Sequence, residues 1–99
     1  MTTMYNPPHP GEFIQALYLD PYEVSAREIA ERMAVSPSTF HRVLVGTSNI
    51  SPEMALRLSK TLGRSAESWL AMQDNYRLWQ ARQRLDLSQV QKMEFADID

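Results

Sequence analysis

The chain has 99 residues and a formal charge of −2, which is one domain's length with room for only a modest core. It contains no cysteine, which excludes disulfides and thiolate metal sites. No secretory leader or membrane-length apolar run is readable, so a soluble cytoplasmic protein without a cofactor or a membrane partner is expected.

Residues 1–9 carry Pro7 and Pro8 and read as a flexible, extended N-terminal segment. Pro10 opens a first helix expected to run to about Leu19, with Phe13, Ile14, Leu17 and Tyr18 facing inward. Asp20 and Pro21 are expected to break it. Ser25 then caps a second helix, and Glu28 three residues on completes a capping-box pattern. Ile29, Ala30 and Met33 fall on one face at helical spacing. Ala34, Val35 and Ser36 form a turn. Ser36 caps a third helix, Pro37 takes its first position, and Gly46 ends it. Two short helices joined by a tight turn over residues 25–46 make a helix-turn-helix, a device that places side chains in a DNA major groove.

On the third helix Phe40, Val43 and Leu44 cluster on one side at about 100° per residue and are expected in the core. Ser38, His41, Arg42 and Val45 take the other side, with Thr39 on the flank, and Ser38, Thr39, His41 and Arg42 are the candidates for base contacts. Arginine donates two parallel hydrogen bonds to guanine O6 and N7, and the smaller polar groups serve bases or phosphates. The competing reading of such a face is plain solvation; the two-helix context favours DNA.

Residues 47–50 form a loop. Ser51 and Pro52 start a fourth helix with Met54, Ala55, Leu58 and Leu62 as its apolar stripe, and Gly63 stops it. Ser65 begins a longer fifth helix, 65–82, carrying Trp69, Leu70, Met72, Tyr76 and Trp79. Tyr76 and Trp79 either pack on the first helix or form a dimer or partner surface, where aromatic residues are enriched. Residues 83–99 form a tail in which Leu85, Leu87, Val90 and Met93 read either as a short helix or strand that docks on a partner or as a frayed end. The whole reads as an all-α, five-helix bundle, and with its helix-turn-helix it resembles the lambda-repressor-like DNA-binding domains. Its DNA-binding domain spans residues 10–82.

The charge is unevenly spread. Residues 1–24 carry −3, residues 25–64 carry +3 and residues 65–99 carry −2. The basic excess therefore coincides with the helix-turn-helix, which matters more for phosphate contact than the total does. Enzyme chemistry finds no constellation: the two histidines, His9 and His41, lie far apart, and the three glycines stand singly at helix boundaries.

These landmarks together resemble the HigA-type antitoxins, a branch of the Xre/Cro family of helix-turn-helix repressors. The resemblance is carried by HPGEFI at 9–14, PSTFHRVLVG within 25–46, ISPEMALRLSKTLG at 50–63 and SWLAMQDNYRLW at 68–79, and it covers residues 9 to about 82. It implies a homodimer that represses its own operon at double-stranded operator DNA written as an inverted repeat. It also implies neutralisation of a HigB-like, messenger-RNA-cleaving ribonuclease toxin. Phosphate contacts in the family come from the start of the second helix and the loop after the third; here that gives Ser25, Thr47, Ser48 and Asn49, with Arg27 and Ser36 beside them. The dimer or partner surface would fall on Tyr76, Trp79, Leu85 and Leu87. The alternative is a stand-alone Xre-family regulator without a toxin.

Overall fold

The computed structural model describes residues 6–95. Their order is α1 (Pro10–Ile14), a π-helical stretch (Gln15–Leu19), α2 (Asp20–Tyr22), α3 (Ala26–Met33), α4 (Pro37–Val45), α5 (Pro52–Leu62) and α6 (Ala66–Arg84). The first three run on without a break, so the bundle has five helical rods and, among the described residues, no strand.

The serine caps form as the spacing predicts. Ser25, Ser36, Ser51 and Ser65 each accept from the backbone N–H three residues on, at 3.0–3.1 Å. The reciprocal half of the capping box at Ser25 is absent from the hydrogen bonds around it; the Glu28 carboxylate instead accepts from Arg32 at 3.3 Å. Gly46 ends α4 with φ +89°, as a left-handed residue should.

The first rod departs from expectation. It does not stop at Leu19 but continues through Pro21 to Tyr22, and a left-handed Glu23 terminates it. Proline lacks a backbone donor, and the π-helical stretch before it shifts the ladder to the wider i→i−5 pattern, so that Asp20 N–H reaches Gln15 C=O. The wider turn also rotates the inward face. Ile14 and Leu19, five apart, are buried, whereas Leu17, expected inside, is 48% exposed. Phe13 and Tyr18 are half-buried against the core.

The core gathers Ile14, Ile29, Phe40, Val43, Leu58 and Trp69. Fully burying such a side chain stabilises by about 1.5–3 kcal/mol. Trp69 is completely enclosed, and its indole N–H donates to Gly63 C=O at 2.9 Å, so the ring is buried without an unsatisfied donor. Leu44 is half-buried rather than central. Its backbone is what matters: Gly11 lies directly against it, and a Cβ there would sit 1.9 Å from Leu44 O. Gly11 thus lets α1 support α4 from behind at backbone distance.

His9, expected in a flexible segment, is held. Its Nδ1 accepts from Gly11 N–H at 2.8 Å and caps α1. Its ring meets Tyr76 edge-on, centroids 5.0 Å apart. Residues 85–95 form neither helix nor strand; one turn, in which Val90 N–H donates to Leu87 C=O, interrupts an exposed chain. Residues 1–5 and 96–99 of the two terminal segments lie outside the described residues. Among the described residues no helix is long and apolar enough to cross a membrane.

Candidate nucleic-acid interface

The angle between α3 and α4 is set by their turn. Ala34 takes the left-handed region at φ +61°, and the N–H groups of Ala34 and Val35 fold back onto Glu31 and Ala30 carbonyls at 3.0 Å. A non-glycine residue is strained there by about 1–2 kcal/mol. Arg57 on α5 offsets this from outside. Its Nη1 donates to Met33 C=O at 2.7 Å and to Ala34 C=O at 3.3 Å, and its Nη2 pairs with Glu53 at 3.2 Å. A guanidinium on the last carbonyls of a helix also complements the negative end of its dipole.

With α1 and α3 packed against it, α4 buries Phe40 and Val43 and leaves Ser38, His41 and Arg42 exposed on the opposite side. Thr39 lies on the flank, half-buried. It receives the Ser36 hydroxyl proton at 2.8 Å, and Arg42 Nη2 lies 3.5 Å from the same oxygen. Thr39 therefore joins the cap to the arginine's guanidinium. His41 has no protein hydrogen-bond partner among the described residues. The arrangement offers one helix face with an exposed arginine fork, touched only by Thr39 at the limit of hydrogen-bond distance.

The candidate phosphate contacts divide. Ser25 and Ser36 have their hydroxyls committed as caps, so what α3 and α4 offer an anion there is the positive end of each helix dipole. Arg27 is exposed in the first turn of α3. In the loop, the N–H groups of Gly46, Thr47 and Ser48 all turn inward to Arg42 C=O at 3.0–3.1 Å, and Thr47 Oγ1 follows at 3.3 Å. Asn49 is exposed and is met by Arg77 from α6.

Of the residues expected at a dimer or partner surface, Tyr76 and Trp79 are half-buried and lie against each other, centroids 6.3 Å apart. Tyr76 is within reach of the first helical rod after all, through His9. Leu85 and Leu87 are 60% and 58% exposed.

Three side chains that shape this face were not anticipated. Gln73 is a buried polar residue whose Oε1 accepts from Ile50 N–H at 2.8 Å, tying the loop after α4 to α6. Arg77, one turn on, reaches Asn49. His9 seats against Gly46 and Tyr76 and joins Glu12, Asn49, Arg77, Gln80 and Arg84 around one polar cleft. A signal for Gln73 exists in the sequence: it lies on the Trp69 face of α6, where an apolar residue is due.

No family model matches the chain. Whole-sequence relatives do. It is 40% identical over 90 residues to an uncharacterized HTH-type transcriptional regulator, YddM, of Escherichia coli, covering 91% of this chain and 95% of that one. It is 30% identical over 82 residues to the antitoxin HigA-1 of Vibrio cholerae, covering 83% and 77%. Among solved structures, the Pseudomonas aeruginosa antitoxin HigA with the higBA promoter superposes with a TM-score of 0.73 at 31% identity, over 78% of this chain and 84% of that one. Fold, helix-turn-helix frame and sequence agree over most of the length: the chain belongs to the family of HigA-type helix-turn-helix antitoxins and transcriptional regulators.

Proposed function

We propose that the chain is a dimeric, cytoplasmic autorepressor that binds its own operator and also captures a HigB-like toxin. The reading rests above all on the exposed Ser38, His41 and Arg42 face of α4, held on a frame of capped helices. A HigA relative of the same fold was solved with promoter DNA. Ser38, Thr39, His41 and Arg42 meet base edges. Phosphates are met at Ser25, Arg27, Ser36, Thr47, Ser48 and Asn49. One such helix reads too few base pairs for a genome, so two copies related by a two-fold axis enter successive major grooves about 34 Å apart on an inverted repeat. Tyr76, Trp79, Leu85 and Leu87 serve as the dimer or partner surface.

Residues 10–82 act as the DNA-binding domain and residues 83–99 as a partner-binding tail. Five large apolar side chains between residues 85 and 95 stand in solvent, a load that a partner would relieve. A basic toxin suits the acidic ends of the chain, −3 over residues 1–24 and −2 over 65–99. The second reading, a stand-alone regulator, is favoured by the description of the Escherichia coli relative. Two arms decide. The wild-type protein is titrated against a duplex from its own promoter, with sedimentation to read its mass; a monomer that binds as one chain contradicts the dimer. Arg42→Ala and a chain truncated after Arg84 are then each co-expressed with the neighbouring open reading frame. The antitoxin reading expects Arg42→Ala to lose repression and still protect the cells. Protection by the truncated chain and not by Arg42→Ala puts the toxin site on the recognition face instead.

A further inference from the structure

We infer, on the basis of the operator-binding reading, that Arg77 is a positioning residue for a DNA-backbone contact: it holds Asn49 Oδ1 so that the amide NH2 of Asn49 is turned out toward a phosphate flanking the bases read by α4. The inference begins with the loop's own donors. The N–H groups of Gly46, Thr47 and Ser48 and the Thr47 hydroxyl all converge on Arg42 C=O. They close the end of α4, which leaves these groups less available to an outside ligand than an uncommitted donor would be. The Asn49 side chain, exposed at the far side of the loop, carries an amide donor that is not committed to that carbonyl.

An asparagine amide has two opposite ends, an acceptor oxygen and a donor NH2. A phosphate oxygen only accepts, so it repels one end and binds the other. Arginine only donates, so Arg77 has one way to meet Asn49: Nη1 on Oδ1. That contact settles the flip by chemistry. With Oδ1 engaged from α6, Nδ2 is left for the solvent side. The loop itself cannot swing away, because Gln73 takes the next backbone N–H, Ile50, in a buried bond. Gln73 and Arg77 lie four apart on α6, one above the other, and so grip two consecutive loop residues from the same helix face. The helix-turn-helix motif contains neither of them.

The test uses the full-length chain and a labelled duplex carrying its own promoter, with an unrelated duplex of equal length beside it. Arg77 and Asn49 are both exposed, so thermal melting should be unchanged in Asn49→Ala and Arg77→Met. Each variant is expected to bind both duplexes about ten-fold more weakly, the size of one hydrogen bond to a charged group, with the ratio between the two duplexes preserved. The double variant should be no weaker than either single one. Arg77→Lys, which still donates to Oδ1, should recover part of the loss. The dependence of affinity on salt should keep its slope in Arg77→Met, and the Asn49 side-chain amide resonances should shift toward those of a free amide. Losses that add in the double variant, with a slope lowered by about one, overturn the inference and make Arg77 a phosphate ligand in its own right. Unchanged binding in both single variants overturns it as well. A wild-type protein that ignores its promoter overturns the operator reading itself, a result distinct from either of these.

Discussion

Replacing Gly11 by alanine puts one methyl group between α1 and the backbone of α4. An ideal Cβ at Gly11 would lie 1.9 Å from Leu44 O, 2.6 Å from its carbonyl carbon and 2.8 Å from its Cα. Ordinary contacts between carbon atoms fall at about 3.5–4.0 Å, so the two helices must separate by roughly 1.5 Å or slide. The obstacle is main chain, which has no rotamer to change. Overpacking of a well-filled core costs about 1–3 kcal/mol, and this case belongs at or above the upper end. For a domain of this size each kcal/mol is worth roughly 4–8 °C in Tm, so a fall of about 12 °C or more is expected. Because α1 supports the recognition helix, operator affinity should also fall per folded molecule, measured well below the variant's midpoint. Gly63→Ala is the control. No atom lies within 4 Å of a Cβ there, but φ is +97° with ψ −169°, a region essentially reserved for glycine, so the cost is backbone strain alone, about 1–3 kcal/mol, with operator affinity kept. Melting by far-UV circular dichroism and a duplex titration read both quantities. If Gly11→Ala melts within a couple of degrees of the wild type and binds as well, the close approach of α1 to α4 is wrong.

Ala34→Gly relieves the left-handed turn between α3 and α4 and should raise stability by about 0.5–1 kcal/mol in urea unfolding; a loss would mean the turn is not left-handed. Phe40→Ala should destabilise by about 3–5 kcal/mol, since Phe40 is fully buried. Arg42→Ala should leave Tm nearly unchanged, and a large drop there would show that α4 is rotated. Stability should also depend on pH through His9. Burial holds its imidazole below the ordinary value, with Glu12 pulling weakly the other way. The folded state thus favours the neutral ring that accepts from Gly11 N–H, whereas the unfolded chain takes up the proton near pH 6.5. Stability contributed by this residue is complete above about pH 6.5 and declines as pH falls from there toward the lowered folded value. His9→Asn, which keeps an acceptor at the cap, should flatten that decline in urea titrations run across the range; an unchanged slope removes His9 as its source.

The helix-turn-helix was legible because its signals are local. Ser25, Ser36, Ser51 and Ser65 each announce a helix start by position, Pro37 and Pro52 reinforce two of them, and the Phe40 and Val43 spacing assigns the buried face of α4. What was not legible depends on geometry across the chain. A π-helical turn has no composition of its own, so nothing warned that Leu19 would replace Leu17 inside or that Pro21 would be tolerated. Gly11 reads as an ordinary first-turn residue until α4 is laid against it. His9 looks like part of a loose end because its partners, Gly46 and Tyr76, are 37 and 67 residues away. Gln73 broke the apolar pattern of α6 in plain view, yet only the Ile50 N–H it receives explains why a polar side chain belongs there.

The central claim is that Arg42, on the exposed face of α4, reads a guanine in each half of an inverted repeat. Guanine N7 lies in the major groove and is methylated there by dimethyl sulfate unless a donor covers it. Protection mapped on the chain's own promoter should show one guanine in each half-site shielded by the wild-type protein, the pair about 34 Å apart along the duplex. Arg42→Ala, still folded, should leave those two positions reactive and cost about 1–3 kcal/mol in binding. Protection that is identical in the wild type and Arg42→Ala, or confined to a single site, would contradict the account.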